Sequence, residues 1–229
     1  MSNSVAVVTG VRSGLGSELA LLLSREGYFV VGVSRHVPAN GPWRENVQRG
    51  EADHVAGDVG VPETVEAAFR SADARGTLDL VVNCAGQGVF GPAGNYGRKD
   101  VEDVLQASLI GTILFSEAAF RRFKSRGGTI VNVMSTAALM PRANEAIYCA
   151  SKWGARGYTE SLRLEAKGTP VKVVAVYPGG MKTDFWKNAR GVEMDSTRFM
   201  SPAEVAAIIL DAARPRTTSY VSDLIINRT

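Results

Sequence analysis

The chain is short of the residues that build metal sites and disulfide frameworks. Its 229 residues include 2 cysteines, Cys84 and Cys149, and 2 histidines. The cysteines lie far apart with no metal-ligand spacing around either, so we expect neither a zinc site nor a disulfide scaffold. So low a cysteine content is typical of a reducing compartment, and we expect a cytoplasmic protein.

Long hydrophobic runs and a strong excess of one charge are also missing. No uninterrupted apolar run reaches the roughly 18 residues of a membrane span, because Asp, Arg or Lys breaks every candidate. The segment Met1–Ser4 lacks the basic region of a signal peptide. Lys+Arg 26 against Asp+Glu 23 gives a net charge of +3, which is too weak and too scattered to predict nucleic-acid binding. We therefore expect neither a membrane nor a nucleic acid as partner.

The composition that is present is that of a globular domain. Hydrophobic residues make up 45% and charged residues 21% of the chain, which excludes a disordered, coiled-coil or collagen-like protein. A chain of this length can bury a large core without staples, and it contains no linker or repeat. We expect one domain over residues 1–229.

Short apolar runs rich in β-branched residues alternate with segments of helical periodicity. Strands are predicted at Val5–Val8, Tyr28–Val33, Leu78–Asn83, Thr129–Met134, Val171–Tyr177 and Tyr220–Ile226, and helices at Gly14–Gly27, 62–75, 100–124, 144–167 and 202–213. This alternation is typical of βαβ units with right-handed crossovers. It predicts an α/β fold, a single doubly wound domain with a central parallel sheet of about seven strands flanked by helices.

A glycine-rich segment, Thr9–Gly16, joins the first strand to the first helix. Glycines there allow a tight turn and close backbone approach, and the helix N-terminus supplies free N–H groups and a positive dipole end. The spacing is G-x-x-x-G-x-G rather than G-x-G-x-x-G. The segment predicts a pyrophosphate site; a plain tight turn is the alternative, which the flanking strand and amphipathic helix disfavour.

The end of the second strand indicates which dinucleotide binds. An acidic residue there would bind the 2′-hydroxyl of the ribose, but the sequence has Ser34-Arg35. A guanidinium forms charge-assisted bonds to a 2′-phosphate, and Arg12 in the glycine turn could supply a second one. The alternative is that Arg35 is an ordinary solvated charge. We predict that NADP(H) is favoured over NAD(H).

Tyr148 and Lys152 lie one turn apart on a predicted helix and so share a face. An ammonium ~4 Å from a phenol, at an effective dielectric constant near 20, interacts by ~4 kcal/mol, equivalent to about three pKa units. We therefore expect the pKa of Tyr148 to fall toward neutrality, where a phenol can act as general acid and base. A helix-surface pair without function is the alternative for this common spacing.

Several motifs in order along nearly the whole chain resemble those of the short-chain dehydrogenase/reductases. They are Thr9–Gly16, Gly57-Asp58-Val59, Asn83-Cys84-Ala85-Gly86, Ser135, Tyr148-x-x-x-Lys152 and Pro178-Gly179-x-x-x-Thr183. The resemblance implies a Rossmann-type domain and hydride transfer between a nicotinamide cofactor and a carbonyl or alcohol. It further implies a homodimer or homotetramer, in which the helix over 100–124 and the helix bearing Tyr148 pack against symmetry mates. Apolar side chains that could serve this are Val104, Ile113, Phe115 and Ala155, although core packing explains them equally well.

The resemblance also implies roles for the matching positions. Tyr148 would be the catalytic acid and base, Lys152 would bind the nicotinamide ribose, and Ser135 would orient the substrate carbonyl. Asp58 would contact adenine. The complete predicted cofactor set is Gly10, Arg12, Ser13, Gly14, Leu15, Gly16, Ser34, Arg35, Asp58, Val59, Asn83, Ala85, Gly86, Tyr148, Lys152, Pro178, Gly179, Met181 and Thr183. In the family the segment after the Pro-Gly turn covers the substrate, so Met181, Phe185 and Trp186 are either a binding wall or a packed cap.

One motif departs from the family pattern. Where the family has Asn-Leu-x-Gly, this chain has Ser108-Leu109-Ile110-Gly111. The family's asparagine helps to carry a water-mediated proton relay to the lysine. Serine is shorter but can still hydrogen-bond a carbonyl or a water molecule. We expect Ser108 to belong to the catalytic set and the enzyme to be active, with slower proton resupply.

Two functions of different classes follow. The first is an NADPH-dependent carbonyl reductase, or the reverse alcohol dehydrogenase. The second is a non-catalytic NADP(H)-binding regulator, which the replacement at Ser108 suggests but the intact set of Ser135, Tyr148 and Lys152 disfavours. An epimerase or dehydratase acting on nucleotide sugars is disfavoured by length, because little chain follows Lys152 to form a substrate domain. The sequence does not identify the substrate.

Overall fold

A seven-stranded parallel sheet organises the chain. The computed structural model describes residues 4–189, 195 and 197–229. Within them the strand order is β3-β2-β1-β4-β5-β6-β7, with every neighbouring pair parallel. The strands are β1 Ser4–Thr9, β2 Phe29–Ser34, β3 Ala52–Ala56, β4 Thr77–Asn83, β5 Gly128–Val133, β6 Val171–Pro178 and β7 Asp223–Ile226. The predicted α/β fold is confirmed.

Helices cover both faces of this sheet. They are α1 Gly14–Arg25, α2 Pro42–Gln48, α3 Pro62–Arg75, α4 Arg98–Leu105, α5 Gly111–Phe123, α6 Ala146–Glu165, α7 Phe185–Asn188 and α8 Pro202–Ala213. A π-helical turn, Gln106–Ile110, joins α4 to α5, and a short 3-10 turn, Thr136–Ala138, follows β5. Four of the predicted helices, over Gly14–Gly27, 62–75, 144–167 and 202–213, agree with α1, α3, α6 and α8 to within two residues.

Successive side chains of the central strands point to opposite faces and build two separate cores. In β1, Ala6 and Val8 pack with α1 and α8, whereas Val5 and Val7 pack with α3 and α5. All four are fully buried. A strand covered on both faces needs apolar residues at every position, which is why these strands read as continuous hydrophobic runs.

The sequence prediction missed β3 and α2. Strand β3 lies at one edge of the sheet, and its sequence Ala-Asp-His-Val-Ala is only partly buried, so it lacks the apolar run of the central strands. Helix α2 has seven residues, of which only Trp43 is buried; its indole packs where Gly32 of β2 leaves room. Strand β7 begins at Asp223 rather than at Tyr220, since its ladder with β6 starts there.

The predicted middle helix over 100–124 is interrupted at its centre. The chain is helical from Arg98 to Phe123, but Gln106–Ile110 widens into a π-turn. By length and mean hydropathy this helical segment, alone among the described residues, could cross a membrane. It meets both criteria without containing a long uninterrupted apolar run. Its apolar face packs against β4, β5 and α3, so a place in the core explains its hydropathy.

The apolar side chains that suggested a symmetry interface are largely core residues. Val104, Phe115 and Ala155 are at most 1% exposed within the single chain and cannot contact a partner. Other apolar residues of the same helices do reach the surface, with Trp153 45% and Leu164 62% exposed. A homo-oligomer stays a prediction, and these two residues are better candidates for its interface.

Candidate active site

A cavity of about 470 Å³ opens at the carboxyl ends of the strands. It is lined from the ends of β1 to β6 and lies over the β1–β4 boundary, where the strand order reverses. In open parallel sheets this switch point is where ligands bind, because the loops diverge to opposite faces and leave a crevice. Thr9 fastens the two strands there, since its Oγ1 accepts hydrogen bonds from the backbone N–H groups of Cys84 and Ala85, each at 3.0 Å.

The glycine turn at the end of β1 has the shape of an anion cradle. Gly10 has φ +81°, and a Cβ atom there would lie 2.9 Å from the backbone of Ala85. A Cβ atom on Gly16 would overlap the Gly10 carbonyl, so the helix can start this close only with glycine. The N-cap residue Ser13 makes no side-chain hydrogen bond, which leaves the first N–H groups of α1 unpaired beside the cavity. Such groups bind phosphate oxygens well.

Two arginines stand at the far end of this cavity. Arg12 and Arg35 are exposed and line it together with Ser34, whose hydroxyl donates to the His36 carbonyl at 3.0 Å. Neither guanidinium has a hydrogen bond or ion pair to another of the described residues. Both are therefore available to an anionic ligand. Asp58, which also lines the cavity, is held in place because its Oδ1 accepts from Gly60 N–H at 2.9 Å.

Ser135, Tyr148 and Lys152 meet on the opposite side of the cavity. Ser135 follows β5, and its hydroxyl accepts a hydrogen bond from the Ala137 N–H at 3.1 Å while lying near enough to the Tyr148 phenol to act on its pKa. Tyr148 and Lys152 share one face of α6, and the Lys152 Nζ lies 5.8 Å from the centre of the Tyr148 ring. Lys152 is 4% exposed, and its ammonium donates to the Val133 carbonyl at 3.3 Å.

Burial dominates the ionisation of this group. It raises the pKa of Tyr148 to about 12, with the Ser135 hydrogen bond acting in the opposite direction. Burial also lowers the pKa of Lys152 to about 8. The predicted fall of the Tyr148 pKa toward neutrality is therefore wrong for this structure, because the ammonium is turned toward Val133 while aromatic rings desolvate the phenol.

Ser108 does not reach the cavity wall. It is fully buried in the π-turn, where its Oγ accepts from Gln87 N–H at 3.1 Å and donates to the Gln87 carbonyl at 3.3 Å. A Cβ atom on Gly86 would lie 3.5 Å from both Ser108 Oγ and Lys152 Nζ, so the two groups flank the same short loop. Ser108 thus braces the Gly86–Gln87 backbone and acts on the site from behind it.

Asn83 is the other predicted site residue that lies away from the cavity. It is 2% exposed, and its Nδ2 donates to Ser116 Oγ at 3.0 Å and to Asn132 Oδ1 at 2.8 Å. It joins β4 to β5 and α5 in the core, and it is not a wall residue for a cofactor. The other predicted residues line the cavity: Gly10, Arg12, Ser13, Gly14, Leu15, Gly16, Ser34, Arg35, Asp58, Val59, Ala85, Gly86, Ser135, Tyr148, Lys152, Pro178, Gly179, Met181 and Thr183.

The segment after the Pro-Gly turn forms a cover over the cavity. Thr183 lies above the glycine turn, since a Cβ atom on Gly14 would be 3.1 Å from its methyl group. Phe185 and Trp186 of α7 line the cavity, and the Trp186 indole N–H donates to the Met181 carbonyl at 3.0 Å. They are therefore a binding wall as well as a cap. Residues 190–194 and 196 of the segment after the Pro-Gly turn lie outside the described residues.

Two charged residues of the wall escaped the sequence prediction. Arg142 and Glu145 lie in the loop before α6, with Arg142 Nη1 3.9 Å from Glu145 Oε1. Arg142 Nη2 also donates to Thr136 Oγ1 at 2.7 Å, next to Ser135. The signal that could have found Glu145 is its position three residues before Tyr148, which places both at the same end of one helix face.

Comparisons with known proteins agree with this geometry. The family model described as short chain dehydrogenase matches residues 4–193. Carbonyl reductase family member 4 of Danio rerio is 32% identical over 211 residues, covering 90% of this chain and 89% of that protein. D-threitol dehydrogenase of Mycolicibacterium smegmatis is 31% identical, covering 90% and 84%. A crystal structure of a short-chain dehydrogenase/reductase from Vibrio parahaemolyticus is 35% identical, with a TM-score of 0.83 and coverage of 98% and 96%.

Proposed function

This chain belongs to the short chain dehydrogenase family of NAD(P)-dependent oxidoreductases, and we propose that it is an NADPH-dependent carbonyl reductase. The observation that carries the proposal is one cavity with a glycine cradle and two arginines at one end and the Ser135–Tyr148 pair at the other. A carbonyl reductase among the relatives supports the same reaction.

The residues present suit a dinucleotide with a 2′-phosphate. The glycine turn and the N-terminus of α1 would hold the pyrophosphate, because the first backbone N–H groups of α1 are unpaired there beside the cavity. Arg12 and Arg35 would bind the 2′-phosphate. The end of β2 has Ser34 and Arg35, so no carboxylate at these two positions repels the phosphate. Asp58 and Val59 would contact the adenine end, and Pro178, Gly179 and Thr183 the nicotinamide end. When bound, NADPH supplies the hydride.

The chain's own part in the reaction is to hold the carbonyl and deliver a proton. Ser135 donates a hydrogen bond to the substrate oxygen and orients it toward Tyr148. Tyr148 donates its phenolic proton to that oxygen as the alcohol forms. Lys152 would hydrogen-bond the nicotinamide ribose. The aromatic residues of α7 exclude water from the reacting atoms.

The ionisation of Tyr148 favours reduction over oxidation near neutral pH. Because burial raises its pKa to about 12, the phenol is protonated at pH 7 and ready to act as an acid. Oxidation of an alcohol needs the phenolate as base, so its rate should increase with pH over the alkaline range. Lys152 is mainly protonated below about pH 8, where its ammonium can hold the ribose of the cofactor.

NADPH consumption with a panel of ketones, aldehydes, diketones and keto esters tests the proposal. The variant Tyr148→Phe should lose about 10²- to 10⁴-fold in kcat with little change in NADPH affinity, since only the proton donor is removed. Tyr220→Phe, at a 40% exposed tyrosine outside the cavity, is the matched control and should match the parent enzyme. Turnover by Tyr148→Phe at the parent rate, or NADPH binding without reduction of any carbonyl, would refute the proposal; the second result would favour a regulator.

A further inference from the structure

We propose that the substrate is an uncharged ketone or aldehyde with an aromatic ring attached close to the carbonyl. This inference rests on the proposed function and adds the substrate class to it. Two features around Tyr148 carry it. One is the pair of aromatic residues, Phe185 and Trp186, that line the cavity beside Tyr148 and are backed by Phe90 and Phe199. The other is the pairing of Arg142 with Glu145 in the same wall.

The aromatic rings surround the phenol from two separate parts of the chain. Phe90, from the loop after β4, contacts the Tyr148 ring edge-on with centroids 5.5 Å apart. Phe185 of α7 lies 5.7 Å from the same ring and 6.2 Å from Phe90. Trp186 stacks near Phe90 at 5.9 Å with an interplanar angle of 21°. An aryl group gains additional stabilisation when it packs edge-on or offset against aromatic rings, and an aliphatic chain does not have this interaction.

Two further details keep these rings together around the phenol. Gly88 leaves room for both Phe90 and Phe185, because a Cβ atom at Gly88 would lie only 2.7 Å from either ring. Phe199 closes the outer end by packing edge-on against Trp186, with centroids 5.4 Å apart. Phe90 and Phe185 contact the ring of Tyr148, whose phenol would donate its proton to the substrate oxygen. An aryl group that packs against these rings must therefore be attached to the carbonyl carbon or one carbon away. An extended chain would meet Trp186 and Phe199.

The two oppositely charged residues beside Ser135 pair with each other. Arg142 faces Glu145 at 3.9 Å, and the two side chains are 37% and 15% exposed. The guanidinium is also fixed by its bond to Thr136 Oγ1 beside Ser135. Lys152, the cation nearest to the phenol, is 4% exposed and donates to the Val133 carbonyl. The Arg142–Glu145 pair is formally neutral, so a carboxylate on the substrate would meet an attractive and a repulsive charge there. The pair therefore disfavours oxo acids and amines and tolerates neutral compounds.

Three substrates separate the possible outcomes: an aryl methyl ketone, a linear 2-ketone with the same number of carbons, and an aryl 2-oxo acid. We expect kcat/KM for the aryl ketone to exceed those of the other two by about tenfold or more. An equal or higher value for the linear ketone or the oxo acid would overturn the substrate class while leaving the carbonyl reductase intact. If no carbonyl is reduced by the parent enzyme, the proposed function fails with it.

Two variants test whether Phe185 and Glu145 cause the expected preference for an uncharged aryl ketone. Phe185→Leu should lower the ratio of kcat/KM for the aryl ketone to that for the linear ketone by about threefold to tenfold. Glu145→Gln should release Arg142 and raise kcat/KM for the aryl oxo acid relative to the aryl ketone by about tenfold. Tyr220→Leu, at an exposed aromatic residue outside the cavity, is the control and should change neither ratio. Unchanged ratios in both wall variants would refute these assignments.

Discussion

The two ends of the cavity are built in different ways. The nucleotide end consists mainly of backbone: a glycine turn, a helix N-terminus and the ends of β2 and β3, all close to one another in the first 60 residues. The substrate end consists of side chains from distant parts of the chain: Phe90, the segment Arg142–Tyr148, and the aromatic residues Phe185, Trp186 and Phe199. The difference teaches that one end is constrained by backbone sterics and the other by packing between loops.

This contrast has a consequence for tolerance to change. A glycine in a closely packed turn accepts no other side chain, because the neighbouring atoms are backbone and cannot move aside. An aromatic ring in the cover can be exchanged for another apolar side chain at a moderate cost in packing. Substitutions at the nucleotide end should therefore abolish binding, and those at the substrate end should change selectivity.

Gly16→Ala should break the nucleotide end most severely. The new Cβ would overlap the Gly10 carbonyl, so the turn must open and lose the arrangement of N–H groups that binds pyrophosphate. We expect the Kd for NADPH to rise by at least ~10²-fold, or about 2.7 kcal/mol. Gly157→Ala in helix α6 has open space at the same position and is the control. An unchanged Kd for Gly16→Ala would show that the turn does not hold the cofactor; titration of both variants decides this.

Lys152→Met tests whether the buried ammonium between the two ends costs stability. The pKa of Lys152 is lowered to about 8 from 10.5, so between these values the unfolded chain binds more protons than the folded one. The stability of the parent protein relative to Lys152→Met should thus increase through this alkaline window, by about 3 kcal/mol in total. The cost is fully present below about pH 8.

Urea unfolding without cofactor, at about pH 7 and at about pH 10, measures this difference. Lys167→Met, at an exposed lysine, serves as the control and should show no such change relative to the parent. A Lys152→Met curve parallel to that of the parent at all pH values would contradict the lowered pKa.

The double variant Ser34→Asp/Arg35→Ala should reverse cofactor choice without affecting the substrate end. It replaces a guanidinium by a carboxylate near the 2′-phosphate, and charge-assisted bonds contribute about 1.5–3 kcal/mol. We expect the Kd for NADPH to rise by about 10- to 100-fold, with that for NADH unchanged or lower. Arg70→Ala, an exposed arginine of α3 outside the cavity, controls for net charge. A parent protein that prefers NADH would contradict the assignment of Arg35.

The smallest effect on turnover is expected for substitutions of Ser108, which lies behind the Gly86–Gln87 backbone between the two ends of the cavity. Ser108→Ala leaves the Gln87 N–H without its acceptor and should lower stability by about 1–2 kcal/mol. Turnover should change by less than about threefold, because hydride transfer or product release can limit the rate instead of proton supply. Ser108→Asn should overpack a fully buried site at a cost of ~1–3 kcal/mol. A large loss of turnover with an unchanged melting temperature would show that the hydroxyl itself carries protons.

The sequence predicted the strand, turn and helix at the proposed nucleotide end of the cavity well because each of these parts is local. The run Val5–Val8 followed by Thr9–Gly16 specifies strand, turn and helix within a few residues, and the parallel sheet then places Ser34 beside it. Strand β3 was missed because an edge strand needs fewer apolar residues. Asn83 was assigned to the cofactor site because its motif runs continuously into residues that do line it.

What the sequence by itself determined is the fold, the glycine cradle and the one-turn spacing of Tyr148 and Lys152, since these follow from backbone sterics and periodicity. The tertiary structure decided the environment of those groups. Packing of Phe90 and Phe185 around Tyr148 raises its pKa where the local Tyr–Lys spacing had predicted a fall. It also brought Arg142 and Glu145 to the substrate end. Desolvation and charge pairing depend on every neighbour in space, and the neighbours along the chain are only a few of these.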